Sequence, residues 1–223
     1  KDHALGLAIK RTLSRYRGAS LGDRRYVAGK LRHDPVLSGI ADLGLELGDT
    51  VDAGAGPGQL SLCLRELGLV RTLVGFDLDP RKVTLAEQAA GGDASFTVAD
   101  LADAELPEAD TVLLVDVLHY LPLGEQDALL ERAARSLRPG GRLLLRDADK
   151  RPGISSLLTR GLEYLAAATG FHRSRSRLCF RPMAEVIARL EALGLHCVAQ
   201  AAAQGTPFAN VLVIATRMHP PQA

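Results

Sequence analysis

The sequence predicts an α/β fold: one doubly wound sheet of seven strands, mostly parallel, closing on an antiparallel C-terminal hairpin and preceded by a helical segment. Three observations predict it. Short Val/Leu-rich runs alternate along the chain with helix-like segments. Runs such as Thr111-Val112-Leu113-Leu114-Val115 are apolar throughout, which suits parallel strands covered on both faces, whereas a strand open to water would alternate. The last two runs are parted only by a short segment with Gly205 and Pro207, too short for a helical crossover, so they should pair antiparallel.

In chain order, residues 2–17 and about 34–45 read as helices, with Asp34-Pro35 as an N-cap followed by proline at the first helical position. These helices are expected to form an N-terminal lid. Strands are expected near 49–53, 71–77, 94–99, 110–117 and 141–147, then near 195–203 and 208–216, with helical patterns in most gaps. The segment Leu137-Arg138-Pro139-Gly140-Gly141-Arg142 reads as a turn into the fifth strand. There is no internal repeat and no low-complexity linker, so 223 residues of 47% hydrophobic and 4% aromatic content make one domain with an aliphatic core.

Composition narrows the function classes. About 18 consecutive apolar residues would be needed to cross a membrane as a helix, and the sequence has no such run; its start also lacks the pattern of a secretory leader. The expectation is a soluble, cytoplasmic protein, although Lys1 stands where a Met would begin a chain and a removed targeting peptide stays open. Cys63, Cys179 and Cys197 are odd in number and widely spaced, which reads as reduced thiols and not as a disulfide framework. Charge is uneven: residues 1–32 carry nine Lys/Arg against two acids, residues 33–149 nine against 21, and residues 150–223 nine against three. The basic flanks suit solvated helix faces or contact with an anionic acceptor, nucleic acid or membrane surface, and charge alone does not choose.

The strongest motif is Val51-Asp52-Ala53-Gly54-Ala55-Gly56-Pro57-Gly58, an apolar strand running into a glycine-rich turn and directly into a helix. Glycines there let the backbone turn sharply and approach a ligand closely. Asp77, in Gly75-Phe76-Asp77-Leu78-Asp79-Pro80, ends the second strand about 20 residues on, where dinucleotide folds hold ribose hydroxyls. Asp79 is better explained as the N-cap before Pro80. Asp100 ends the third strand and Asp116 the fourth, in Val115-Asp116-Val117-Leu118-His119-Tyr120-Leu121-Pro122.

This ordered set of strand-end acids, with the glycine loop and the 137–142 turn, resembles the class I S-adenosylmethionine-dependent methyltransferases over most of the chain. The resemblance implies a Rossmann-like fold with S-adenosylmethionine as cofactor. It implies that the loop of Asp52, Ala53, Gly54, Gly56 and Gly58 holds the methionine part, Asp77 the ribose with Leu78 beside the adenine, and Asp100 and Leu101 the adenine amino group. Asp116 and Val117 would border the sulfonium. It further divides the single domain into a lid (1–46), a cofactor-binding core (47–149), an acceptor-side insertion (150–193) and the hairpin (194–223).

Methyl transfer is an in-line displacement, so a protein has mainly to align an electron-rich acceptor and exclude water. No metal is expected, since the six His are scattered and the acids are accounted for. His119 is the first candidate for a general base, Asp149 and Asp147 the next; His119 can equally be a strand-end residue that only packs. Tyr26, Arg32, Tyr120, Arg146 and Phe171 are candidate acceptor contacts. The basic groups Tyr16-Arg17, Arg24-Arg25-Tyr26, Lys30-Leu31-Arg32 and 172–177 suit a carboxylate or an acyl carrier. Residues 30–35 and 205–211 look like a bacterial subgroup associated with aryl polyene biosynthesis, which implies a hydroxyaryl head group, free or carrier-linked.

Rival readings have discriminating features. NAD-dependent oxidoreductases show two residues between the second and third loop glycines, whereas only Pro57 separates Gly56 from Gly58. RNA methyltransferases add a recognition module or an amide-rich motif at strand four, where this chain reads DVLHYLP, so a nucleic-acid partner is not expected. A non-catalytic cofactor-binding relative would be expected to show damaged motifs.

Overall fold

The computed structural model describes residues 2–149, 178–201 and 210–219. Its strands are β1 (Gly48–Ala53), β2 (Val70–Asp77), β3 (Ser95–Val98), β4 (Ala109–Val115), β5 (Leu137–Ala148), β6 (Leu195–Ala201) and β7 (Asn210–Arg217). They form one sheet in the order β3-β2-β1-β4-β5-β7-β6. The ladders β1–β2, β1–β4, β2–β3 and β4–β5 are parallel, and β7 pairs antiparallel with both β5 and β6. The seven strands, their mostly parallel pairing and the antiparallel end match expectation. The turn foreseen at 137–142 lies inside β5 as an irregularity: Leu137 pairs with Ala109 and Arg142 with Thr111, and Gly140, at φ 78°, carries the chain between the two registers.

Helices α1 (Asp2–Arg15), α2 (Leu21–His33) and α3 (Pro35–Asp42) precede β1; α4 (Gln59–Glu66), α5 (Pro80–Ala90), α6 (Leu123–Ser136) and α7 (Met183–Ala192) follow. Two cores cover the two faces of the sheet. One joins Ala8, Val27, Leu31, Leu37 and Ile40 from α1–α3, and Tyr16 just after α1, to Leu62 and Leu64 of α4, Ala86 of α5 and sheet residues such as Leu73 and Leu113. The other joins Leu129, Leu130 and Ala133 of α6 and Val186 and Leu190 of α7 to Val112, Leu114, Leu143 and Leu145. Alternate residues of β4 and β5 thus face opposite cores, as buried parallel strands require.

The N-terminal segment is therefore a packed layer on α4 and α5. Arg15 sews it in place, donating to Glu66 of α4 at 2.8 Å and to the last carbonyls of α5, Ala89 and Ala90, at 3.2 Å, and pairing with Asp93 at 2.9 Å. Cations at a helix C-terminus complement its exposed carbonyls. Helix α2 was not foreseen as a separate element; Ser20 caps it by accepting from the Asp23 amide at 3.2 Å.

Candidate active site

Because β1 to β5 run parallel, their carboxyl ends share one edge, and the strand order reverses between β1 and β4. A crevice forms outside the strand ends at such a switch point. Asp52, Asp77, Asp116 and Asp147 each lie within one residue of the ends of β1, β2, β4 and β5, and Asp100 lies just beyond β3.

The glycine loop turns through three left-handed residues, Gly54 (φ 88°), Gly56 (φ 56°) and Gly58 (φ 77°). At Gly54 a Cβ would sit 2.1 Å from Cγ2 of Val117, and at Gly58 it would sit 2.9 Å from the Phe96 ring, so these glycines let the loop pack against the segment after β4 and against β3. The loop's amides turn inward. Those of Gly54 and Ala55 both donate to the Phe76 carbonyl at 2.8 Å, that of Gly56 to Asp77 at 2.8 Å, and that of Gly58 to Ala55 at 2.9 Å, while Pro57 has none. A dinucleotide site differs in its loop, which presents free amides to a pyrophosphate.

Asp52 is 3% exposed and its Oδ2 has no hydrogen-bond partner among the described residues. Burial pushes its carboxyl up to about 6; the Ser61 hydroxyl opposes this and the charge of Asp77 adds to it. A buried carboxylate with one oxygen left without a partner is suited to a cation. Asp77 accepts from the amides of Gly56 and Asp79, at 2.8 and 2.9 Å, so it ties the loop to the end of β2. Asp79 caps α5, accepting from the Arg81 amide at 2.9 Å. Leu78 beside it is 44% exposed, an apolar side chain open at the crevice, and Ala53 is fully buried. Asp100 accepts from the Ala102 amide at 3.0 Å in the turn that carries buried Leu101. That turn is gripped from behind: Arg132 of α6 donates to the carbonyls of Leu101, Ala102 and Ala104 at 2.5, 2.9 and 3.0 Å.

On the acceptor side, β4 stops at Val115 and Asp116 turns left-handed at φ 56°, leading into a short 3-10 turn, Leu118–Tyr120. Expectation had carried that strand to 117. The turn buries His119 against Asp147 of β5: Nδ1 lies 2.7 Å from Oδ1, and the His119 amide donates to Oδ2 at 3.2 Å. The Ala148 amide also donates to Asp147, at 2.7 Å. The imidazole stacks on Phe180, centroids 5.0 Å apart at 17°, and touches the half-buried Tyr120 ring at 4.2 Å. Asp149 accepts from the amide of Met183, the first residue of α7, at 3.0 Å, so it caps that helix.

Arg146, expected among the acceptor contacts, is held in an ion-pair ring. It is 2% exposed and its guanidinium is taken up by two carboxylates, Asp34 and Asp116, with Nη2 2.9 Å from Asp34 Oδ2 and Nε 3.0 Å from Asp116 Oδ1. Lys30 closes the ring, 3.0 Å from Asp34 and 3.6 Å from Asp116. Burial by itself would raise the Asp34 carboxyl, but Arg146 and Lys30 hold it down at about 2. Tyr26 stands one turn before Lys30 on α2 and is 37% exposed. Arg32 is exposed and, two residues beyond Lys30, lies ~200° around the helix from it. Phe171 and the basic run 172–177 lie outside the described residues.

Three similarities bear on this edge. A family model described as "Methyltransferase domain" matches residues 51–145, the stretch from the end of β1 and the glycine loop to Leu145 of β5. "Ubiquinone biosynthesis O-methyltransferase" of Xanthomonas oryzae pv. oryzae (strain PXO99A) is 32% identical over 123 residues, 52% of this chain and 49% of that protein.

This chain is similar in sequence to methyltransferases and has the Rossmann-like methyltransferase fold.

It spans about half the length of the curated methyltransferases it matches first. Solved methyltransferase structures share its fold. An O-methyltransferase family protein from Burkholderia thailandensis superposes with a TM-score of 0.69 at 22% identity, over 88% of this chain and 59% of that one. Magnesium protoporphyrin IX methyltransferase from Synechocystis PCC 6803, with bound SAH, gives a TM-score of 0.62 at 22% identity, over 97% of each chain. S-adenosylmethionine, the cofactor implied by the similarity to methyltransferases, fits the crevice on two counts: the buried Asp52 oxygen without a partner among the described residues, and a loop whose glycines permit close approach.

The geometry also brings in residues that sequence reasoning passed over. Lys30 was read as part of a basic group suited to an anionic acceptor and Asp34 as a helix cap, both within the 30–35 resemblance, but their pairing with Arg146 and Asp116 was not foreseen. Arg132 and Phe180 carried no local signal, because each acts across a gap of tens of residues.

Proposed function

We propose that the protein transfers the methyl group of S-adenosylmethionine to a hydroxyl oxygen of a small hydroxyaryl acceptor. The observation that carries this reading is the buried pairing of His119 with Asp147 at 2.7 Å. A carboxylate accepting at Nδ1 keeps the neutral imidazole protonated there and leaves the Nε2 lone pair available. A lone pair so placed suits removal of a phenolic proton during methyl transfer. Asp147, which already accepts from two backbone amides, orients His119 and is not itself the base. Asp149, occupied as a helix cap, is left with a structural part.

When bound, the cofactor supplies an electrophilic methyl group on a sulfonium centre. The chain's own residues then have to hold it, align the acceptor and exclude water. Asp52 takes the methionine ammonium, with Ala53, Gly54, Gly56 and Gly58 shaping the loop around that end. Asp77 accepts from the ribose hydroxyls while tying the loop to β2. Leu78 lies along the adenine, whose amino group donates to Asp100 beside the Leu101 amide. Asp116 and Val117 border the reacting centre, with Tyr26 and Tyr120 on the acceptor side. The Xanthomonas relatives are O-methyltransferases by name, which supports oxygen as the acceptor atom. An anionic or carrier-linked acceptor would draw its cations from the N-terminal helices or the 172–177 run, because Arg146 is committed to Asp34 and Asp116.

Calorimetric titration with S-adenosylmethionine and with NAD, followed by methyl-transfer assays on hydroxybenzoates, tests the reading. S-adenosylmethionine should bind and NAD should not. His119→Ala should keep that binding and lose about 10²–10⁴ in kcat. Binding without turnover of any hydroxyaryl would remove the acceptor assignment, and no binding would remove the whole proposal.

A further inference from the structure

The backbone of the glycine loop is held at every point but one by its immediate surroundings. Gly54, Ala55, Gly56 and Gly58 anchor their amides to β2 and to the loop itself. Pro57 has no amide to anchor and is flanked by two left-handed glycines, the residues with the widest conformational freedom. Its carbonyl takes a hydrogen bond from Tyr16, at 2.6 Å, across 41 positions of sequence.

Tyr16 is built to hold that bond. It is 1% exposed, and burial pushes its phenol far above the ordinary tyrosine value, so it stays a protonated donor. It follows directly on α1, whose last residue, Arg15, is fastened to α4 and to the end of α5. A buried hydroxyl deprived of its acceptor costs free energy, so tyrosine and carbonyl hold each other in register.

We infer that Tyr16 is a positioning residue for the cofactor loop, which makes the N-terminal helical layer part of the cofactor site. This rests on the S-adenosylmethionine reading of that loop. The hydroxyl meets the loop through a carbonyl and needs no contact with the cofactor. Its effect is to narrow the conformations of Gly56-Pro57-Gly58 before binding, so that less ordering remains to be done when the cofactor arrives.

Tyr16→Phe removes the hydroxyl and keeps the ring that fills the core. The expected result is a rise of about fivefold in the dissociation constant for S-adenosylmethionine, a KM for the cofactor that moves more than kcat, and faster amide exchange at Gly58 in the ligand-free protein. Arg15→Gln is the comparison: it loosens α1 from α4 and α5 but leaves the hydroxyl, and should lower the melting temperature more than it weakens cofactor binding. Unchanged exchange at Gly58 in Tyr16→Phe overturns the inference, because the ring alone would then account for the residue. So does a Tyr16→Phe protein that loses stability broadly with no local change at the loop. If the unaltered protein fails to bind S-adenosylmethionine, the functional reading falls, while amide exchange in the ligand-free protein still decides whether Tyr16 sets the loop.

Discussion

Asp52 joins two properties that usually exclude each other: it is buried, and one of its oxygens lacks a partner among the described residues. Its carboxyl, pushed up to about 6 by burial, is protonated in part of the ligand-free population near that pH. A bound ammonium favours the carboxylate, so the bound-state value must lie lower. Cofactor affinity should therefore be full above pH 6 and fall as pH drops through it, by up to about tenfold per unit, with proton release on binding in that window. Titrations in two buffers of different ionisation enthalpy would measure that release. Asp52→Asn should weaken binding and flatten the pH profile; a profile unchanged by the substitution would dissociate Asp52 from the ammonium. The acid itself was visible in the sequence from its place before the glycines, whereas its missing partner depends on how Ser61 and Asp77 fall around it.

Among the elements, the strands were the most legible, because runs such as 111–115 are apolar on both faces and nothing but a covered strand explains them. Helix α2 was hidden by composition. Gly22, Gly29 and four Lys/Arg dilute its pattern, and only Val27 and Leu31 are buried. The signal that was present is the spacing of Ser20 and Asp23, an N-cap hydroxyl with an acid three residues on. The grip of α6 on the loop after β3 left no local trace, since it is one Arg132 side chain meeting three carbonyls. Arg132→Ala should free the 101–104 turn, weaken S-adenosylmethionine binding by about tenfold and cost about 1–3 kcal/mol in urea unfolding. Cofactor affinity equal to that of the unaltered protein would show that this turn needs no support from α6.

For the molecule as a whole, the ring of Lys30, Asp34, Asp116 and Arg146 fastens the N-terminal layer to the ends of β4 and β5. No pairing of this kind could be read from the sequence, where Arg146 stood as a candidate acceptor contact. Its contribution has a definite pH window. Asp34 sits at about 2 in the fold against about 3.9 in an unfolded chain. A depressed carboxyl lends stability that is complete above pH ~4 and is lost as pH falls through 4 toward 2, about 2 kcal/mol in all. Asp34→Asn keeps the helix cap and removes the charge, so its deficit in urea unfolding should be clear at pH 6 and shrink by pH ~2. A deficit independent of pH would mean that the ion pairing adds nothing beyond the cap.

The placement of β7 has a consequence for how the protein is made. It lies between β5 and β6 yet is the last of the seven strands in chain order. As the polypeptide leaves the ribosome, β5 has a bare edge from residue 148 until residue 210 and those after it arrive. A completed parallel half-sheet thus waits with open amides and carbonyls, a template that any stray strand could join. The time for which that edge stays bare is set by translation speed, so rare codons within 149–209 would be expected to cost yield of soluble protein without altering a single contact in the finished fold.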